Sequence, residues 1–303
     1  MSEQYLDHSF TLKHASERDE LLKRYAKGSQ LKAKRERRAA GTDIYSIYDI
    51  YDSSLEGIED YFRDLIPGYD RALVEADFEQ LMETKQQPPR REFLRKYVES
   101  ELTFARGKAV AVELGGPGSR WSQNFTPGFF QKTFGLTLED LRSDEQKAED
   151  TVRHHEVIPG DMLQGDSLQI LEEQVGPRGV HLFLERMALY GISNIPPEPV
   201  FIGEYLQRLY RLQAEKGIIL AEIPLDEMVV TDTYAWFTKL RTHYPGKFNT
   251  AMNGHGFRLQ RLSGSPEELP LLSAKELKRS EKLYTEHGRS REYFIEHVQE
   301  VLD

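Results

Sequence analysis

Hydrophobic and polar positions change rhythm near residue 107, and that change divides the chain. Before it, Ile44, Ile47 and Ile50 recur at a spacing of three, with Tyr45, Tyr48 and Tyr51 repeating the interval alongside, as one flank of a helix does. Helical patterning continues over 55–66, 69–83 and 91–106, broken at Pro67-Gly68 and at Gln86-Gln-Pro-Pro-Arg90. After Gly107, short apolar runs alternate with helical stretches. Strands are expected at 109–114, 136–139, 155–159, 180–184 and 218–223, with helices over 127–134, 167–175 and 198–216 between them. Crossovers of this length join parallel neighbours. A helix over 231–243, opened by a Thr or Asp cap, then leads to strands at 247–252 and 257–262. Their link, Asn253-Gly-His-Gly256, favours an antiparallel hairpin. A helical stretch over 273–302, interrupted near Gly288, closes the chain. The pattern thus predicts an α/β protein: a helical N-terminal region or cap over 1–106, a core over 107–265 and a helical extension over 266–303.

Composition narrows the class. The 303 residues are 39% hydrophobic and 30% charged, enough to bury a full core, and no run approaches the roughly 20 apolar residues that span a bilayer. The polar start lacks the basic-then-apolar order of a signal peptide, so a cytoplasmic protein is expected. With no cysteine, disulfides, thiolate metal sites and cysteine nucleophiles are excluded. The formal net charge of -10 argues against general nucleic-acid affinity, yet residues 18–38 carry nine Lys or Arg against three acids. That basic segment is a candidate arm for RNA, an acidic lipid surface or the protein's own acidic body; a solvated helix face is the plainer reading.

Candidate chemistry centres on Val110-Ala-Val-Glu113-Leu-Gly115-Gly116-Pro117-Gly118-Ser119. A buried strand runs into a carboxylate at its carboxyl end, where open α/β sheets place ligands, and then into glycines that let backbone turn sharply and approach a ligand closely. A P-loop would need Gly-Lys-Ser or Gly-Lys-Thr, and the residues here are Gly118-Ser119-Arg120-Trp121. A dinucleotide fingerprint needs Gly-x-Gly-x-x-Gly, and an acid directly before the turn repels a pyrophosphate. An ammonium-bearing ligand suits Glu113 better.

Glu113-Leu-Gly-Gly-Pro-Gly resembles the first motif of the class I S-adenosylmethionine-dependent methyltransferases, with one residue fewer between its glycines than the usual form. The resemblance spans about 107–263 and implies a Rossmann-like, mostly parallel seven-stranded sheet with a C-terminal antiparallel hairpin. It implies S-adenosylmethionine as cofactor, with Glu113, Gly115, Gly116, Pro117 and Gly118 packing on it. Glu139 and Asp140, after the second strand, match the acid that accepts the ribose hydroxyls; Asp161 and Met162, after the third, match the adenine contacts. Glu185 and Arg186, at the end of the fourth strand, are the substrate-side candidates, with a structural ion pair as the alternative. The acids at 140 and 161 are also suitable helix N-caps.

Methyl transfer needs little acid or base help, so the lack of a triad fits, and a small-molecule O or N acceptor is expected in a dry pocket under the N-terminal helices. The tyrosines at 45, 48 and 51 line that pocket or pack in a core. His154-His155 is no metal site, because neighbours on a strand face opposite ways and no spaced cluster accompanies them. His255 falls in a turn, and Asn194-Ile-Pro-Pro197 reads as a helix lead-in. Two other functions compete: a non-catalytic methyltransferase-like protein binding RNA or a partner through 18–38, and a nicotinamide-dependent oxidoreductase on a similar sheet.

Overall fold

A computed structural model describes residues 59, 62–85, 92–137, 140, 142–160, 165–185, 199–222, 227–253 and 256–303. Its centre is a seven-stranded sheet: β1 (Ala109–Leu114), β2 (Phe130–Thr137), β3 (His155–Pro159), β4 (Val180–Glu185), β5 (Gln213–Glu222), β6 (Phe248–Met252) and β7 (Gly256–Arg261). Their order is β3-β2-β1-β4-β5-β7-β6. The first five are mutually parallel, whereas β7 runs antiparallel to both β5 and β6. This is a Rossmann-like α/β sheet with a reversed hairpin at one end.

Burial on both faces explains the apolar texture of the inner strands. Every residue of β1 and β4 is buried, which a sheet covered on both sides requires. Alternate residues then feed different cores. Ala111, Leu182, Leu184, Ile218 and Leu220 pack with Leu94, Tyr97 and Val98 of helix α2 (Phe93–Glu101) and with Phe62, Leu65 and Ile66. An exposed helix, α1 (Arg71–Thr84), lies between those two segments in sequence. Val110, Val112, Leu114, Phe183 and Ile219 pack on the opposite side. There they meet α5 (Gly165–Val175), α6 (Pro199–Leu212) and α7 (Glu227–His243) through residues such as Leu171, Leu209 and Phe237. The short α3 (Ser119–Ser122) and α4 (Asp144–Val152) complete the β1–β2 and β2–β3 connections.

Helix ends show why these segments begin where they do. Ser143 opens α4 and Ser273 opens α8 (Ala274–Glu286), each in a reciprocal capping box with Gln146 or Glu276. For α2 the adjoining Glu92 makes no cap; the Leu94 N–H instead donates to Glu59 at 2.8 Å, tying a distant residue to the helix start. Two further helices, α9 (Arg291–His297) and α10 (Gln299–Leu302), join α8 in a third core against Ala235 of α7. Ser280 to Asp232 at 2.6 Å and Lys239 to Glu276 at 2.8 Å anchor that extension.

The strands expected at 109–114 and 155–159 match β1 and β3 residue for residue, and the hairpin matches β6 and β7 to within one residue. The region between β1 and β3 departs from expectation. The helix expected over 127–134 is absent, and the strand expected over 136–139 begins six residues earlier, as β2. Thr126-Pro127-Gly128 forms a turn closed by the Phe129 N–H on the Thr126 carbonyl at 2.9 Å, with Gly128 at φ 72°. The aromatic run after it pairs in the sheet rather than coiling. Likewise α6 stops at Leu212 rather than near 216, because Gln213 already pairs with Val180.

Candidate functional site

The strand order reverses between β1 and β4, where the chain leaves β3 and returns to the other side of β1. Carboxyl ends of strands at such a switch point form the crevice in which open α/β sheets bind ligands. Glu113 and the glycine turn lie there on β1, and Glu185 lies there on β4 opposite Leu114. The parity of the two cores shows that Glu113 belongs to the face of Ala111 and Leu184, whereas Glu185 shares the face of Phe183 and Leu114. These two carboxylates, both buried, therefore project from opposite sides of the sheet.

The turn folds back over the sheet rather than extending beyond it. A side chain at Gly135 of β2 would place its Cβ 2.0 Å from the Pro117 carbonyl oxygen and 2.8 Å from that of Gly116. Glycine at 135 thus lets the turn seat directly on the strand. Gly118, at φ 74°, sits where a Cβ would meet Trp121 Nε1 at 3.1 Å, His155 Cε1 at 3.1 Å and Glu113 Oε2 at 3.3 Å. Carboxylate, indole and imidazole are gathered around one bare α-carbon. Trp121 is wholly buried and begins an aromatic series through Phe125, Phe129 and Phe130 that anchors the segment leading into β2.

A histidine holds the turn from beneath. His155 Nε2 lies 2.7 Å from the Pro117 carbonyl and Nδ1 lies 2.8 Å from the Thr133 hydroxyl. Burial pushes the His155 imidazole below its ordinary value of 6.5. The neutral ring donates from Nε2 to Pro117, and Nδ1 accepts from Thr133, so every polar atom of the staple is used.

Asp140 lies beyond the end of β2, and Arg142 grips it. Nε donates to Oδ1 at 2.9 Å, Nη2 to Oδ2 at 3.0 Å, and the Arg142 backbone N–H to Oδ1 at 3.1 Å. Burial alone would raise the Asp140 carboxyl; the Arg142 guanidinium and backbone N–H overcome it and hold the group below the usual carboxylate range. The remaining arm of Arg142, Nη1, donates to Asp150 Oδ2 at 2.8 Å, and the same oxygen accepts from Ser119 Oγ at 2.6 Å.

The structure therefore brings Glu113, Gly115, Gly116, Pro117, Gly118 and Asp140 to one corner of the sheet and sets Glu185 on the far face of the same edge. Glu139, Asp161, Met162 and Arg186 lie outside the described residues, as do the 18–38 segment, the tyrosines at 45, 48 and 51, Asn194 and His255. Sequence reasoning missed Gly135, Trp121, Thr133, Arg142, Asp150 and the stapling role of His155. Only the isolated glycine inside an apolar strand carried a signal, since such a residue marks a close backbone approach. Among the described residues no group of three or more His, Asp or Glu is placed to hold a metal ion, and no helix is long and apolar enough to cross a membrane.

No protein-family model matches the chain, and no curated protein matches its sequence. Its structure is similar to that of an O-methyltransferase from Bacillus cereus in complex with SAH, at 13% identity and a TM-score of 0.38, covering 71% of this chain and all of the other. An rRNA methylase from Streptococcus thermophilus is matched at 13% identity and a TM-score of 0.36, over 59% of this chain and all of the other. An N-methyltransferase from Bradyrhizobium japonicum is matched at 9% identity and a TM-score of 0.34, over 56% of this chain and 95% of the other.

Proposed function

We propose that the chain is an S-adenosylmethionine-dependent methyltransferase acting on an O or N atom of a small-molecule acceptor in the cytoplasm. One observation carries this reading: the acid-and-glycine turn occupies the switch point of a sheet ordered β3-β2-β1-β4-β5-β7-β6, with its reversed hairpin. The residues fit the cofactor. Gly135 lets the turn seat directly on β2 and Gly118 lets it bend where a Cβ would crowd Trp121, His155 and Glu113; Glu113 supplies negative charge at the turn, and Arg142 holds Asp140 below the usual carboxylate range. In this reading Glu113, Gly115, Gly116, Pro117 and Gly118 hold the amino-acid portion. Glu139 and Asp140 take the ribose, Asp161 and Met162 take the adenine, and Glu185 and Arg186 face the acceptor.

When bound, S-adenosylmethionine supplies a methyl group already activated on a sulfonium. What the protein adds is alignment and dryness, worth several kcal/mol when reacting atoms are held near attack distance. The same proposal makes 1–106 a cap on a core of 107–265, with 266–303 as its extension. In support of the cap, Phe62 and Leu65 approach Gly256, whose strand partner is Glu222 at the carboxyl end of β5. The reversed β7 and the acid before the turn favour methyl transfer over a nicotinamide-dependent oxidoreductase.

Thermal melts of the full chain test the choice. S-adenosylmethionine and S-adenosylhomocysteine are expected to raise the midpoint while NADH and NADPH leave it unchanged, because only a ligand of the folded state stabilises it. The reverse pattern overturns the assignment. The excess of six positive charges within 18–38 favours a second reading, in which that segment binds RNA. RNA affinity that falls steeply with salt and disappears on deleting 18–38 is its expected result; salt-insensitive binding, or none, contradicts it.

A further inference from the structure

The Asp140 carboxylate and the glycine turn are joined by a continuous hydrogen-bonded path. Ser119 follows Gly118 directly and donates to Asp150 Oδ2; Arg142 donates to that same oxygen from one arm and straddles Asp140 with Nε and Nη2. Ser119 and Asp150 are each no more than 2% exposed, and the Arg142 side chain is 7% exposed. A guanidinium fork fixes both the position and the plane of a carboxylate, which a point charge does not. With Arg142 filling two directions on Oδ1 and one on Oδ2, Asp140 keeps an Oδ2 lone pair in a set orientation. Meanwhile His155 pins Pro117 at the other end of the turn.

We propose that Arg142 is a positioning residue of the donor site, locking Asp140 to the glycine turn through Asp150 and Ser119 so that two separate cofactor-binding loops act as one preorganised unit. The inference rests on the donor-site reading above, and it deepens that reading by assigning residues that touch no ligand. Binding energy follows from the geometry: a loop already fixed in its bound position loses less freedom when the ligand arrives. Lysine cannot reproduce the arrangement, because one ammonium cannot span both Asp140 oxygens while also meeting Asp150.

The test is calorimetric binding of S-adenosylhomocysteine and of its 2′,3′-dideoxy analogue to the full chain, at a temperature where melts show every variant folded. Arg142→Gln is expected to weaken S-adenosylhomocysteine by about tenfold, as loss of charge-assisted bonds does, while leaving the weaker affinity for the dideoxy analogue unchanged. Arg142→Lys should fall between wild type and Arg142→Gln. Should Arg142→Gln fail to fold, Ser119→Ala decides. It leaves the Asp140–Arg142 pair intact but cuts its link to the turn, and a loss of about threefold or more, the effect of removing one supporting hydrogen bond, is expected for S-adenosylhomocysteine alone. Variants that melt lower yet bind S-adenosylhomocysteine as wild type does overturn the positioning role and leave the donor reading standing. Equal losses for both ligands also overturn it. A folded wild type that binds neither ligand overturns the donor reading, and this inference with it.

Discussion

The two ends of the sheet are built on different principles. At the β3-β2-β1 end, backbone lies directly on backbone at Gly135, and buried polar groups hold the turn: His155 with Thr133 and Pro117, and Arg142 between Asp140 and Asp150. At the β5-β7-β6 end, aromatic rings interlock where α7 meets β7, whereas at the first end the Trp121 to Phe130 rings accompany the polar groups that hold the turn. Phe237 packs against Trp236 at 4.9 Å and edge-on to Phe257 at 5.5 Å, and Trp236 meets Phe257 at 6.0 Å. Buried ion pairs contribute little net stability after desolvation, whereas buried aromatics contribute much. The polar end is therefore suited to holding a ligand geometry, and the aromatic end to keeping the sheet folded.

Substitutions should separate these roles. The largest effect is expected from Phe237→Ala, which opens a cavity in the aromatic end and costs about 3–5 kcal/mol. Denaturant unfolding should register that loss, while S-adenosylhomocysteine affinity at low temperature stays at the wild-type value. Gly135→Ala should do the opposite. Its Cβ forces the Pro117 carbonyl off the strand, so affinity should fall at least about tenfold, the scale of a lost binding contact, with a stability loss of about 1–3 kcal/mol. Equal affinity losses in the two variants would erase the distinction between the ends.

Gly118→Ala ranks next, since a left-handed residue with a crowded Cβ costs about 1–3 kcal/mol. Affinity and melting temperature should both decline, because the strain falls on the turn itself.

Acid provides the mildest and most selective probe. The folded state holds His155 below 6.5, so the unfolded chain takes up the proton first as pH falls. Its contribution to stability is complete above pH 6.5 and is lost as pH drops from there through the lowered folded value. His181, whose Nδ1 accepts from the Val110 N–H, is lowered by burial too and adds a slope of the same sign. His155→Gln should accordingly flatten, not abolish, the decline in melting temperature. For Glu276 in the C-terminal extension, burial raises the carboxyl, but Lys239 and the Ser273 cap outweigh it and hold the group below its ordinary 4.5. That contribution is present above pH 4.5 and disappears only below it. Melting curves of His155→Gln and Glu276→Gln should diverge from wild type in these two separate intervals.

The same contrast governs how much could be read from the chain. The ends of β1 and β3, the hairpin and the C-terminal break near Gly288 follow from local patterns: buried β-formers, turn residues and caps. Glu113 and the glycines were legible because they are consecutive. Only the end of β2 was expected, as a strand over 136–139; Phe130 and Phe134 also fit helical spacing, and its first residues fall in the helix expected over 127–134. The brace was invisible for another reason. Ser119 with Asp150 and Thr133 with His155 meet only after the parallel strands align, and no periodicity links residues brought together by topology; Arg142 and Asp150 are joined locally, from the loop before α4 to a later turn of that helix. The sequence excludes His155 as a metal ligand but does not reveal its partners, a carbonyl and a hydroxyl.

Calorimetric titration of S-adenosylhomocysteine into wild type and Glu113→Gln tests most directly whether the Glu113 turn holds the cofactor. Wild type should bind at a single site with a dissociation constant well below millimolar, and the folded Glu113→Gln protein should bind at least about tenfold more weakly, the cost of removing a charged partner from the ligand's ammonium. Equal affinities in the two folded proteins, or no heat from wild type at millimolar ligand, would contradict that role.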